Sequence, residues 1–357
     1  MNPKQPPLRA RGEKVARRGR VRRSAAPALA VVVLLASAFA AAWRYETSST
    51  KIEAGGLPVK LLVARGSSAE KVARQLQALG LVRHPLVFRL LARQRGVSGQ
   101  LKAGEYALSG PLSVQGILDA LARGDVVRRD LTVPEGRNID EIAALVMAEG
   151  LDLPAFLEVA RDPMPVRDLD PVATSLEGYL FPDTYDLPQS PEAPRVLVRR
   201  MLERFRAVIG PHRERIAERG LTVRQVVTLA SIVELETARI GERPRIAAVF
   251  WNRLDKGMPL QTDPSIIYAL KQAGRWDGNI RKRDLEMDSP YNTYRRRGLP
   301  PGPLGSPGKQ AILAVLEPAA TRELYFVSRN DGTHEFSETL AAHNRAVNRF
   351  QRRRSSS

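Results

Sequence analysis

The chain has 357 residues, 43% of them hydrophobic and 26% charged, with no cysteine. That composition excludes a largely disordered chain, disulfides and thiolate chemistry, and the length allows two modest domains after an N-terminal segment. The formal net charge of +18 is unevenly spread: nine bases against the single acid Glu13 fall within residues 1–24.

Those residues read as a basic cytoplasmic segment. The next stretch, residues 25–43 (AAPALAVVVLLASAFAAAW), carries no charge and is just long enough to cross a bilayer as a helix. The bases precede it, and Trp43 and Tyr45 follow at an interfacial position. The positive-inside rule then holds the N-terminus in the cytoplasm and sends residues 46–357 outward. "ASAFA" resembles a signal-peptide cleavage site. The apolar run exceeds a usual signal core, so the expectation is an uncleaved, single-pass transmembrane anchor in a bacterial inner (cytoplasmic) membrane, with the remainder in the periplasm or otherwise outside. Membrane topology accounts for the densest basic run, so no nucleic-acid partner is expected.

Residues 44–58 are polar and Gly-containing, and read as a linker. From 59 to 82 the pattern is a short strand, a Gly turn, a Ser cap and an amphipathic helix ended by Gly80. It returns at 131–151 with an offset of 70: Gly66 matches Gly136, Val72 matches Ile142 and Gly80 matches Gly150. Residues 101–125 read as a strand, a turn and a helix ending near Gly124. Together, 59–130 form a small α+β module, either a spacer or a binder of something extended, and 131–350 form a larger mixed α+β domain. Within it, 174–188 (TSLEGYLFPDTYDLP) reads as a structured loop, 195–256 as helical, and 257–308 as loop-rich. A hairpin with an Asn-Asp-Gly turn and a helix close the domain, and 351–357 is a flexible tail.

No zinc motif is present; His334 and His343 stand nine apart, while His84 and His212 are isolated. No cofactor or metal is expected. "GPLGSPGKQ" fails as a phosphate loop in its glycine spacing, its missing Ser/Thr and its two prolines. What remains is carboxylates, amides and tyrosines: Glu177, Glu234, Glu236, Asp263 and Asn292, with Tyr179, Tyr185, Tyr268, Tyr291 and Tyr294. Such groups suit carbohydrate, whose hydroxyls want paired partners and whose faces want flat apolar surfaces. Glu234 and Glu236 lie in the apolar run "ASIVELETA". Residues two apart on a helix point about 200° away from each other, so these two cannot form a dyad. Spacing leaves open which is the more buried, and also whether both are simply solvated or salt-bridged.

"LASIVELETA", "RIAAVFWNRLDKGMPLQTDPSIIYAL", "YNTYRRRGLPPGPLGSPG" and "HEFSETLAAHNRAV", with "EGYLFPDTY" before them, resemble the signature segments of the YceG-like (MltG) family, from about residue 59 to 350. The resemblance implies an endolytic murein transglycosylase, a carbon–oxygen lyase. Such an enzyme cleaves the MurNAc-β-1,4-GlcNAc bond within nascent strands without water and leaves 1,6-anhydroMurNAc ends, so ending elongation. It implies one glutamate that serves twice. Related transglycosylases carry it as Glu followed by Ser or Thr, which selects Glu236, with Glu234 as fallback. It also implies that Glu177, Gln261, Asp263, Asn292, Tyr294, His334 and Asn344 bind substrate, and that 59–130 is a LysM-like subdomain. The partners implied are peptidoglycan strands, the cytoplasmic membrane and peptidoglycan synthases (penicillin-binding proteins). A catalytically silent, membrane-anchored peptidoglycan-binding protein is the alternative.

Overall fold

The computed structural model describes residues 26–48, 50–52, 57–109 and 111–352; the basic segment 1–24 and the last residues of the tail lie outside them. Helix α1 (Ala26–Ser48) contains a stretch, Leu29–Ser48, that is long and apolar enough to cross a membrane. Its side chains from Leu29 to Phe39 are exposed.

The helix runs past Trp43, where the linker was expected to begin. The reason is packing: Trp43 lies against the core of the small module, and Thr47 is buried, accepting a hydrogen bond from Gln115. Strand β1 (Thr50–Ile52), also inside the expected linker, pairs with β4 (Leu112–Ser113).

The small module runs β2 (Val59–Val63), α2 (Ala69–Ala78), α3 (Pro85–Gln94), β3 (Gly104–Leu108), β4 and α4 (Val114–Arg123), with β2 and β3 antiparallel. Ser68 caps α2 by accepting from the Lys71 N–H, and Val72, Ala73 and Leu76 face inward at helical spacing. They meet Leu61, Phe88, Tyr106 and Ile117 in one apolar cluster.

A second cluster runs from Leu131 to Leu316, with Phe326 and Phe336 packed against it. Strand β5 (Arg128–Thr132) leads into α5 (Ile139–Ala148), whose Asn138/Glu141 capping box stands 70 residues after the α2 cap. Gly66 and Gly136 both take left-handed conformations, φ +73° and +79°, so the repeated turn is the same turn. Then follow α6 (Leu153–Ala160), β6 (Thr184–Pro188), which pairs with β5, α7 (Ala193–Ile209) and α8 (Arg213–Glu218).

At the centre lies α9 (Val223–Glu236), buried on every side from Val226 to Val233, a stretch that is apolar all round apart from Thr228 and Ser231. It is packed by α8, α10 (Arg243–Asp255), α11 (Asp263–Gln272) and α12 (Lys309–Leu316). Helix α11 falls in the stretch read as loop. Its Pro264 sits in the first turn, where a missing N–H costs nothing, so the proline starts a helix instead of breaking one. The hairpin β7 (Tyr325–Ser328) and β8 (His334–Ser337), with Asn330 at φ +62°, and helix α13 (Leu340–Val347) end the domain.

Candidate active site

Helix α9 starts at a Thr222/Gln225 capping box and ends at Glu236, because Thr237 turns to extended backbone. The core helix therefore carries Glu236 out of the interior on its last turn. There the half-negative helix terminus disfavours an ionised carboxylate. Burial pushes the Glu236 carboxyl up to about 7 and nearby Asp263 adds to this, while the Thr262 hydroxyl and Arg253 oppose it. Thr262 Oγ1 donates to Glu236 Oε1 at 2.5 Å. Glu236 opens onto a cleft of about 310 Å³ lined by Arg253, Gln261, Asp263, Tyr294 and His343.

The cleft's far wall is the start of α11 bolted to the loop before residue 294. The Thr262 N–H donates to Thr293 Oγ1, and Ser265 Oγ and Thr293 Oγ1 are 2.7 Å apart. Gln261 sits at φ +50°, an uncommon conformation for a residue with a side chain, held by its N–H on the Thr293 carbonyl. Asn292 is fully buried; its amide donates to the Leu285 and Met287 carbonyls and accepts from the Tyr294 N–H. It shapes the loop and does not line the Glu236 cleft, whereas Tyr294, which it helps place, donates its hydroxyl to Asp263.

Glu234 points elsewhere. Its carboxylate pairs with Arg243 and accepts from the Gly308 N–H at 2.9 Å; both ion-pair side chains are 5% exposed. Arg243 also lies 3.5 Å from Glu135. Burial raises the Glu234 pKa, and the Gly308 N–H and Arg243 pull it back. The net shift is upward, to about 7, with Glu135 adding to burial, so Glu234 differs from Glu236 in being closed in by Arg243 and the Gly308 N–H and not in its proton affinity. The segment that looked like a phosphate loop lies across α9. It spends its donors on the protein: Leu304 N–H on Ser231 Oγ, Ser306 N–H on the Arg137 carbonyl, Gly308 N–H on Glu234. Gly305 comes so close to the Gly136 carbonyl oxygen that a Cβ would stand 2.5 Å from it.

The other expected site residues are dispersed. Glu177 accepts from the Ile139 N–H at the start of α5 and lies beside Tyr268 in a separate cavity of about 600 Å³. Burial pushes its carboxyl up to about 8. His334 Nδ1 lies 2.7 Å from Glu242, one ring away from the cleft through Phe326. Asn344 is exposed on α13.

Arg253 and His343 of the cleft, and Thr262 behind it, were not singled out from the sequence. Arg253 is pinned by the carbonyls of Leu324, Pro259 and Leu260 and covers the Tyr325 ring. His343 stacks on Tyr325, its Nδ1 buried without a partner among the described residues, and burial with Arg253 nearby lowers its pKa, so it is neutral at neutral pH. Thr262 is the third; its only signal was its place between Gln261 and Asp263. Among the described residues, no three histidine, aspartate or glutamate side chains gather as a metal site would require.

The cleft thus offers one carboxyl poised near neutrality, one tyrosine-bound carboxylate, a buried cation and a neutral imidazole. The sequence profile of the YceG-like family matches residues 61–349. An endolytic murein transglycosylase of Bacillus subtilis (strain 168) is 31% identical over 308 residues, covering 82% of this chain and 84% of that protein. One of Streptococcus pneumoniae D39 is 33% identical over 336 residues, covering 85% of this chain and 59% of that longer protein. The crystal structure of a YceG-like protein from Listeria monocytogenes aligns with a TM-score of 0.55 at 31% identity, over 81% of this chain and 98% of that one. The matched segment takes in both apolar clusters and every residue of the Glu236 cleft, and the chain belongs to the YceG-like family.

Proposed function

We propose that this protein is a membrane-anchored endolytic murein transglycosylase that cuts the MurNAc-β-1,4-GlcNAc bond inside nascent glycan strands. The reading rests on one observation: Glu236, at the end of a buried helix, faces an open cleft with its carboxyl raised to about 7 and a single neutral donor, Thr262. Such a group holds a proton near neutral pH and can give it up. In the first half of the reaction Glu236 delivers that proton to the glycosidic oxygen as the bond to the muramyl anomeric carbon breaks. In the second half the Glu236 carboxylate removes the proton of the muramyl 6-hydroxyl as that oxygen closes on the anomeric carbon. Glu236 ends as it began, and no water is consumed. A second carboxylate of the kind that hydrolytic glycosidases use is not required.

The apolar stretch of α1 supports an anchor, and the bases ahead of it support a cytoplasmic N-terminus. The order strand, helix, helix, strand in β2, α2, α3 and β3 supports a LysM-like, glycan-touching module. Peptidoglycan synthases are the partners this placement suits. The test is mass spectrometry of purified peptidoglycan strands incubated with the protein. New 1,6-anhydromuramyl ends formed by the wild type and absent with Glu236→Gln are the expected result. Strand binding with no new ends would turn the reading into that of a silent binding protein.

A further inference from the structure

The Glu236 cleft has a neighbour. Helix α11 presents one stripe, Asp263, Pro264, Ile267, Tyr268 and Lys271, at helical spacing, and its ten residues span about 15 Å. Asp263 faces the Glu236 cleft, while Pro264, Ile267, Tyr268 and Lys271 line a second cleft of about 390 Å³. The same step is made on α9: Glu236 faces the first cleft, and Leu235, 42% exposed, lines the second. Two elements thus pass from one cleft to the other within one residue each.

Trp276, just beyond α11, closes the second cleft. The other described tryptophans are engaged: Trp43 stacks on Phe39, and Trp251 donates to the Val315 carbonyl. Trp276 is half-buried, and among the described residues no ring stacks on it and no group accepts its indole N–H. A large amphipathic ring with an idle donor is what a ligand's flat face and oxygens would occupy. The charges along the lining balance, two acids (Glu135, Glu141) against two bases (Arg137, Lys271); Lys271 pairs with Glu141 at 2.7 Å and Arg137 lies 3.9 Å from the same carboxylate. The cleft therefore suits a neutral, hydroxyl-rich ligand with apolar faces.

We infer that this second cleft is a distal sugar subsite, holding saccharide units of the strand whose linkage lies at Glu236, with Trp276 as the stacking platform. The inference rests on the transglycosylase reading for the identity of the strand. It commits the protein to long substrates, since a short one fills the first cleft alone.

The experiment compares kcat/KM on uncrosslinked glycan strands of graded length for wild type, Trp276→Ala and Trp276→Phe. The preference of wild type for long over short strands should fall about three- to tenfold in Trp276→Ala, the size of one lost aromatic stack, and return in Trp276→Phe. Equal losses on both lengths, or an intact preference, would overturn the subsite. If wild type makes no new ends at all, the transglycosylase reading fails separately. Retention of intact long strands then decides: weaker retention by Trp276→Ala upholds the subsite, and equal retention overturns it.

Discussion

Glu234 and Glu236 are the same residue type, two positions apart on one helix, and their surroundings have opposite logic. Glu234 meets a buried guanidinium and a backbone N–H, which together satisfy a charge. Glu236 meets one hydroxyl and an open cleft at a helix end that disfavours negative charge. A carboxylate that is fully matched holds a structure together, tying α9 to α10 and to the loop before α12. Burial raises both carboxyls, but only Glu236 faces a cleft in which its proton can be exchanged with a ligand. The proposed chemistry calls for a carboxyl that a substrate can reach, and on that reading the cleft favours Glu236.

The largest expected effect breaks the comparison at its reactive end. Glu236→Gln keeps the shape and can still accept the Thr262 hydroxyl, but it has no proton to transfer. Formation of anhydromuramyl ends should fall by about a hundred- to ten-thousand-fold, with no loss in the urea midpoint. Glu234→Gln should do the reverse. It leaves Arg243 buried with only Glu135 at 3.5 Å, and removing one partner of a buried ion pair costs about 3–5 kcal/mol. Urea unfolding should register that loss, while activity per folded molecule persists. A stable but inactive Glu234→Gln would reverse the two roles.

The pH dependence is smaller and has a definite sign. Glu236 is raised from an ordinary 4.5 to about 7, so the folded chain holds this proton more tightly than the unfolded chain. Its contribution to stability is complete below about 4.5 and is lost as pH rises through about 7. Glu177, pushed up to about 8, acts in the same direction. Stability should therefore decline from pH 5 to pH 8, and less steeply in Glu236→Gln. The rate should fall over the same range in wild type, because the protonated acid starts the reaction. A rate that rises through pH 7 would remove Glu236 as the proton donor.

Local chemistry was legible in the sequence where it is carried by neighbours. The Ser68 and Asn138 caps with their left-handed glycines, the Asn-Asp-Gly hairpin and the opposed directions of Glu234 and Glu236 all follow from residues close in the chain. What set the two glutamates apart came from far away: Arg243 and Gly308 for one, Thr262 for the other. Helix α11 was hidden because its proline reads as a breaker until its position in the first turn is known. Asn292 looked like a ligand amide, but two carbonyls of its own loop claim it. Arg253 and His343 had no local mark at all; burial beside Tyr325 makes one a fixed cation and the other a neutral ring.

The finest test of the contrast is the one hydrogen bond that Glu236 has among the described residues. Thr262 donates to it, and a donor favours the ionised form, so this bond holds the Glu236 pKa below where burial alone would set it. Thr262→Val keeps the volume and removes the donor. The alkaline fall in rate should move to higher pH, and stability should drop by about 1 kcal/mol for the lost hydrogen bond. Thr262→Ser, which keeps the donor, should leave the pH profile where it is. The pair separates tuning from packing, because a packing defect would lower the rate at every pH without moving its fall. If neither variant moves it, burial and the helix terminus alone set the Glu236 proton, and Thr262 serves only to seat α11 against the loop that carries Tyr294.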